Sequence, residues 1–358
     1  MLPVFGTAAI LVAAPAPLLS TGYVAGNTLA AQHFNWYLYH LTKELNNLLI
    51  SVGIGQLVTD DTQLTQAVGL NQVSISASGT TVASAFKGDT WTKFNNSGGA
   101  STYDISAGAS RSGVRLTIEE TNSNGVTIKT GTGMTAALGI GAVHLLWDGT
   151  QWCKVGGANI VQVFTSGSGA TWKTPWAGSY KVTVTGGGGA GGGFNGLNGG
   201  GAGGGGGGTA IEILYELAGA TLTYTVGALV AGGNGTGTTG NNSTLTDGVV
   251  TLTGNGGIGG GGSSAINVGS AGGSASGGSI QSKGDGSGAG FYIASIQISG
   301  NGGGSIWGGG APGVVGTSGA VAGVAGGAYG GGGSGATNTG ASSATGGGGA
   351  AGVVVIEF

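Results

Sequence analysis

From residue 176 to residue 208 the chain reads WAGSYKVTVTGGGGAGGGFNGLNGGGAGGGGGG. Tyr180, Val182 and Val184 alternate with Lys181, Thr183 and Thr185, the period-two pattern of a strand with one face in a core. The glycine tracts that follow have almost no side chain to bury and the most backbone freedom to lose on ordering. Two physical states fit them. One is a flexible linker. The other is a set of extended left-handed helices with three residues per turn, packed side by side, close enough for their backbones to hydrogen-bond because no Cβ stands between them. Linkers are normally polar and serine-rich, whereas these tracts are bracketed by apolar strands, YKVTVT before and AIEILYEL (210–217) after. Packed glycine helices are therefore the expectation, on a β-scaffold that VVVIEF at 353–358 closes.

Composition agrees. Of 358 residues 88 are glycine, and 65 of these fall between residues 186 and 352. Charged residues make up 6% of the chain and hydrophobic ones 39%. Disordered chains are charged and poor in apolar residues, so this one should fold. A net charge of −3 gives no basic footprint for nucleic acid. Five prolines without a strict Gly-X-Y period exclude collagen. One cysteine, Cys153, excludes an internal disulfide, and with three histidines it leaves no structural zinc site.

The first 42 residues carry no Asp, Glu, Lys or Arg. Residues 8–19 (AAILVAAPAPLL) are apolar like the centre of a signal peptide, but they lack a basic start and carry Pro15 and Pro17. An extended apolar arm packed on another protein is the preferred reading. Asn27 or Thr28 caps an expected helix to about Ile50, with Leu38, Leu41, Leu45, Leu48 and Leu49 at helical spacing. Asp60 or Asp61 caps a second short helix to about Val68. From Gln72 to Val155 the period becomes two, and Asp148-Gly149 marks a tight hairpin. The expected organisation is an attachment arm with helices over 1–69, a small all-β module over 70–158 and a glycine-rich tip domain over 159–358. The fold class is mainly β and fibrous.

Three segments carry a resemblance: WAGSYKVTVTGGGGAGGG at 176–193, TYTVGALVAGG at 223–233 and the closing GGGGAAGVVVIEF. Their order resembles the glycine-rich C-terminal domain of bacteriophage tail fibres and adhesins: strand, GGGG block, strand, TVGxGG, glycine loops, then GxVxIxx. VGALVAGG departs from the tighter form, and TPWAG at 174–178 replaces VPAG, which leaves the loop geometry open. TGYVAGNTLAAQHFNWYL (21–38), TQLTQAV (62–68) and WDGTQW (147–152) more weakly resemble other segments of such fibres. The resemblance implies a homotrimer in the virion. Its N-terminal region would attach to a tail or baseplate protein, and its tip to a bacterial surface receptor, protein or glycan.

Catalytic chemistry is not found in the sequence. Gly-x-Gly-x-x-Gly matches arise by chance at this glycine content, and no Gly-Lys-Ser/Thr follows them. His33, His40 and His144 fall on elements where structural histidines are expected. Glu119 and Glu120 are adjacent on a strand and face opposite ways. Glu212 and Glu216 lie about 13 Å apart along one, beyond the roughly 5–9.5 Å of glycosidase pairs. No enzyme activity, cofactor or metal is expected. The rival readings are a glycine-rich decoration protein, an ice- or surface-binding protein and a polysaccharide-degrading spike. Aromatic residues placed inside glycine tracts favour a binding tip over a purely structural role. The expected receptor-binding residues are Phe194, Asn195, Leu197, Asn198, Trp307 and Tyr329, projecting from the turns of the glycine lattice; the strand-like 291–292 segment ranks below them.

Overall fold

The computed structural model describes residues 71–75, 79–95, 99–122, 124–196, 198–263, 266–293, 295–340 and 342–358. The expected arm and helices before residue 70 lie outside them. The chain divides into two units, of which the first includes described residues 71–73 and 88–92 and the second comprises 74–87 and 93–358. In the first, the Thr90 hydroxyl donates to the Gly88 carbonyl at 3.1 Å. The second is all β; no helix occurs among the described residues.

In the second unit, strands Gly79–Val82, Ser101–Asp104 and Val126–Gly131 stack in parallel. Alternation turns Tyr103, Val126 and Ile128 inward. Strand Arg115–Glu120 pairs antiparallel with Gly141–Trp147, which forms a hairpin with Trp152–Gly157. The hairpin falls where Asp148-Gly149 placed it. Asp148 Oδ1 accepts from the Thr150 and Gln151 N–H groups at 2.7 and 2.9 Å, and Gly149 has φ of +116°, a conformation that suits glycine.

Residues 161–185 form three strands: Val161–Phe164, Ala170–Lys173 and Gly178–Thr185. Gly167 and Gly169, at φ of +138° and +60°, turn the chain between the first two. A five-stranded antiparallel scaffold sheet runs Val161–Phe164, Val353–Glu357, Gly178–Thr185, Thr209–Glu216, Ile280–Ser282. The glycine tracts are inserted between its strands.

These tracts are bonded through their backbones with a period of three. Gly186, Gly189 and Gly192 donate to Gly208, Gly205 and Ala202 at 2.9–3.0 Å. Gly187, Ala190 and Gly193 donate to Asn241, Thr238 and Gly235, while Gly188 and Gly191 donate to Ala350 and Gly347. Successive N–H groups of one tract thus point to three different neighbours. The tract 201–208 behaves alike, donating to 330–336, to 255–261 and to 285–288, and accepting from Gly300, Gly303 and Gly273. None of its glycines has a left-handed φ. Space requires them: a Cβ at Gly204 would strike the Gly189 carbonyl, one at Gly206 the Gly304 carbonyl, and one at Gly192 the Gly261 carbonyl.

One hydrophobic core runs from Phe86 through Trp152 and Trp176 to Phe358. Phe358 packs against Trp172, Trp176 and Tyr180 with ring centroids 5.5, 5.5 and 5.1 Å apart. The buried Tyr180 hydroxyl donates to the Trp176 carbonyl at 2.6 Å. The glycine tracts therefore stand on a sheet with a conventional aromatic core.

Candidate functional site

The tracts have two ends. Residues 186 and 208 adjoin the scaffold strands; residues 193 and 201 mark the far end. Three small sheets cap the far end: Phe194–Asn195 with Ser343–Ala344; Gly199–Gly200 with Thr337–Thr339 and Gly319–Val321; and a four-stranded sheet of Ile266–Asn267, Gly290–Ile293, Ile296–Ile298 and Val315–Gly316.

The residues expected to form one receptor surface are divided between the two ends. Asn195 and Asn198 are exposed at the far end. Phe194 corrects the expectation, since its ring is fully buried. It sits opposite Ala344, itself buried, whose small side chain leaves the ring room. Leu197 lies outside the described residues. Trp307, 45% exposed, and the half-buried Tyr329 stand at the scaffold end. Gly304 accepts from Asp285 N, Gly330 donates to Ala351, and the Ser305 hydroxyl ties the two turns by donating to the Tyr329 carbonyl. The glycine spacing gave no indication of which end each turn occupies.

The four-stranded far-end sheet has a polar inner face and an apolar outer one. Ile266 pairs with Phe291, Phe291 with Ile298 and Ile298 with Val315. This in-register row is 71, 36, 36 and 60% exposed. Ile293 and Ile296, paired with each other on the same face, are also exposed. The opposite face carries Asn267 and Gln297, both buried, and Tyr292, paired with Gln297 and 37% exposed. Asn267 Nδ2 donates to the Gly200 carbonyl at 2.9 Å, and a Cβ at Gly316 would collide with the Thr337 hydroxyl. The inversion has a physical cause. A glycine tract presents backbone N–H and C=O groups rather than hydrocarbon, so whatever lies on its end must be small or able to hydrogen-bond. Aliphatic side chains on those strands are left facing outward.

From residue 286 to residue 352 the chain has no Asp, Glu, Lys, Arg, His or Cys. The outer row spans about 14 Å across four strands, with no ionised side chain among them. Such a surface can bind by apolar burial and by backbone or amide hydrogen bonds, and it offers nothing for proton transfer or nucleophilic attack. The strand-like segment that opens at Phe291–Tyr292 ranks below the glycine-tract aromatics in the sequence, because its alternation does not say which of its faces turns outward.

The carboxylates lie elsewhere. Along Arg115–Glu120 burial alternates, leaving Glu120 inside and Glu119 outside. The Glu212 carboxylate accepts from the Ser279 N–H and hydroxyl at 2.8 and 2.6 Å. Burial, and then the negative charge of nearby Asp247, raises the Glu216 carboxyl above its ordinary value. His144 Nδ1 shares a 3.0 Å hydrogen bond with the Thr117 hydroxyl. Among the described residues no group of three or more His, Cys, Asp or Glu converges to hold a metal. Comparison of the chain with known protein families and with curated proteins finds no match in either.

Proposed function

We propose that the protein is a non-enzymatic, trimeric tail-fibre component of a phage or phage-like particle, attaching it to a receptor on the bacterial surface. The glycine tracts act as polyglycine-type helices in a rigid, side-chain-free support. Their three-residue bonding period and the backbone contacts that exclude a Cβ support this reading. The N-terminal region joins the fibre to a tail or baseplate protein, and the far end of the lattice engages the host. Three copies add avidity without any new contact.

The observation that carries the proposal is the in-register apolar row of Ile266, Phe291, Ile298 and Val315, exposed at the end of an uncharged lattice. An apolar patch of several hundred Å² on a protein surface marks an interaction site. A purely structural decoration protein has no use for six apolar side chains presented there. Asn195 and Asn198 supply amides at the same end; Trp307 and Tyr329, at the opposite one, are not part of this surface.

The test is whether fluorescently labelled protein stains cells from a panel of bacterial strains and blocks infection of the stained strain by the parent particle. Saturable staining with competition is expected. Staining absent across the panel, or unaffected by excess unlabelled protein, contradicts the proposal.

A further inference from the structure

The scaffold sheet has a second face, turned away from the aromatic core. Register aligns Val163, Val355, Thr183, Ile211 and Ile280 in one row across all five strands; Val163 and Ile280 at its edges are exposed, while Val355 and Thr183 between them are buried. Tyr215 and Ile213 continue the face on the Thr209–Glu216 strand, 83 and 55% exposed, and Val161 continues it on the first strand, 53% exposed. Lys181 and Glu357 sit at its centre, 2.7 Å apart. At the lattice end of the face, Gly330 lies against the Thr185 methyl and the Ser305 Cβ, which brings the exposed Ile306 and Trp307 turn to its border.

We propose that this face is where copies of the chain meet, turned towards one another. The inference rests on the multi-copy reading above and adds the surface that builds it. The exposed apolar side chains here amount to on the order of 700 Å², close to the ~800 Å² per partner of a standard interface. Tyr215 and Trp307 are of the residue types that concentrate interface energy. The charge pattern selects another copy over a foreign partner. The face carries one cation and one anion already satisfied by each other, so it needs no complementary charge. A facing copy offers the same pair for exchange, and hydrophobic side chains to cover the rest.

Light scattering of the full chain at low micromolar concentration provides the test. The wild type is expected at about three times 33.8 kDa, the mass of a trimer. Tyr215→Glu should raise the dissociation constant thirtyfold or more, about the loss of one interface anchor, and shift the mass towards a single chain. Lys181→Glu should weaken assembly, and Lys181→Glu combined with Glu357→Lys should restore it. Ile293→Glu, at the far end, should leave the mass unchanged. If Tyr215→Glu alters the circular dichroism spectrum, Val163→Lys replaces it. A wild type of single-chain mass, its face then covered by another protein or by another segment of this chain, overturns the inference together with the multi-copy reading. An oligomer that survives Tyr215→Glu and Val163→Lys overturns the inference alone. Cell staining by the same variants reports separately on the far-end site.

Discussion

Substituting a single glycine by alanine tests whether the tracts are packed or slack, and the structure supplies its own control. Gly206 is fully buried, donates to the Asp285 carbonyl at 3.0 Å and accepts from the Gly273 N–H at 2.8 Å. A Cβ there would strike the Gly304 carbonyl, which as backbone cannot rotate aside. The 300–304 tract must then shift, stretching the Gly303-to-Gly204 and Gly300-to-Gly201 bonds of 2.9 and 2.8 Å. Overpacking costs about 1–3 kcal/mol, and each buried backbone group left unpaired about 1–3 kcal/mol more. Reduced freedom of the unfolded chain returns only about 0.4–1 kcal/mol. The net expectation for Gly206→Ala is a loss of about 2–4 kcal/mol, which at about 2–4 °C per kcal/mol lowers the melting temperature by roughly 4–16 °C. Gly235 lies in the same lattice but has no atom within 4 Å of its missing Cβ and no left-handed φ. Gly235→Ala should be neutral or stabilising by up to about 1 kcal/mol. Differential scanning fluorimetry on the two variants decides the matter. Equal melting temperatures for Gly206→Ala and the wild type would refute the packed lattice.

Other expectations concern the base, the acid limit and the lattice amides. Phe358→Ala removes a ring that touches Trp172, Trp176 and Tyr180, and should cost about 3–5 kcal/mol in chemical denaturation. The Lys129 ammonium, 2.7 Å from Asp104, and the Ser106 N–H hold the Asp104 carboxyl at about 2. The folded value lies below the unfolded one of about 3.9, so the stabilisation is present above the unfolded value and is lost as pH falls towards the folded one. Asp104→Asn should flatten the stability profile between about pH 4 and 2, as read by urea midpoints. Amides of the 186–193 and 201–208 tracts should exchange hydrogen as slowly as those of the Gly178–Thr185 strand, because each bonds to a neighbouring tract. Exchange at unfolded-chain rates, measured by mass spectrometry, would mark the tracts as linkers.

The strands were legible wherever a side-chain period met an ordinary core: Tyr180, Val182 and Val184 alternate into it, and Asp148-Gly149 turns its hairpin. Tract-to-tract pairing was not legible, because a run of glycines carries no side-chain pattern to say which neighbour each N–H finds. The site was misjudged for a related reason. Aromatics isolated by glycine read as projecting, yet Phe194 fills the interior opposite Ala344 while Trp307 turns out at the scaffold end. Conversely the strand-like segment opening at Phe291 ranked below the tract aromatics as a binding surface, yet Phe291, Ile296 and Ile298 face outward, because the lattice beneath Gln297 and Asn267 is made of peptide groups. A sheet that rests on backbone reverses the usual meaning of strand amphipathicity.

The most direct measurement is the binding of labelled protein to susceptible cells, compared between Phe291→Ser/Ile298→Ser at the far end and Trp307→Ser at the scaffold end. Both side chains of the first variant are 36% exposed in one paired row, so folding and melting temperature should change little while cell binding falls at least tenfold, as for an interface anchor. Trp307→Ser should bind cells at least as well per folded assembly as the wild type. Full binding by the far-end double variant, or loss confined to Trp307→Ser, would contradict the assignment of attachment to the apolar far-end sheet.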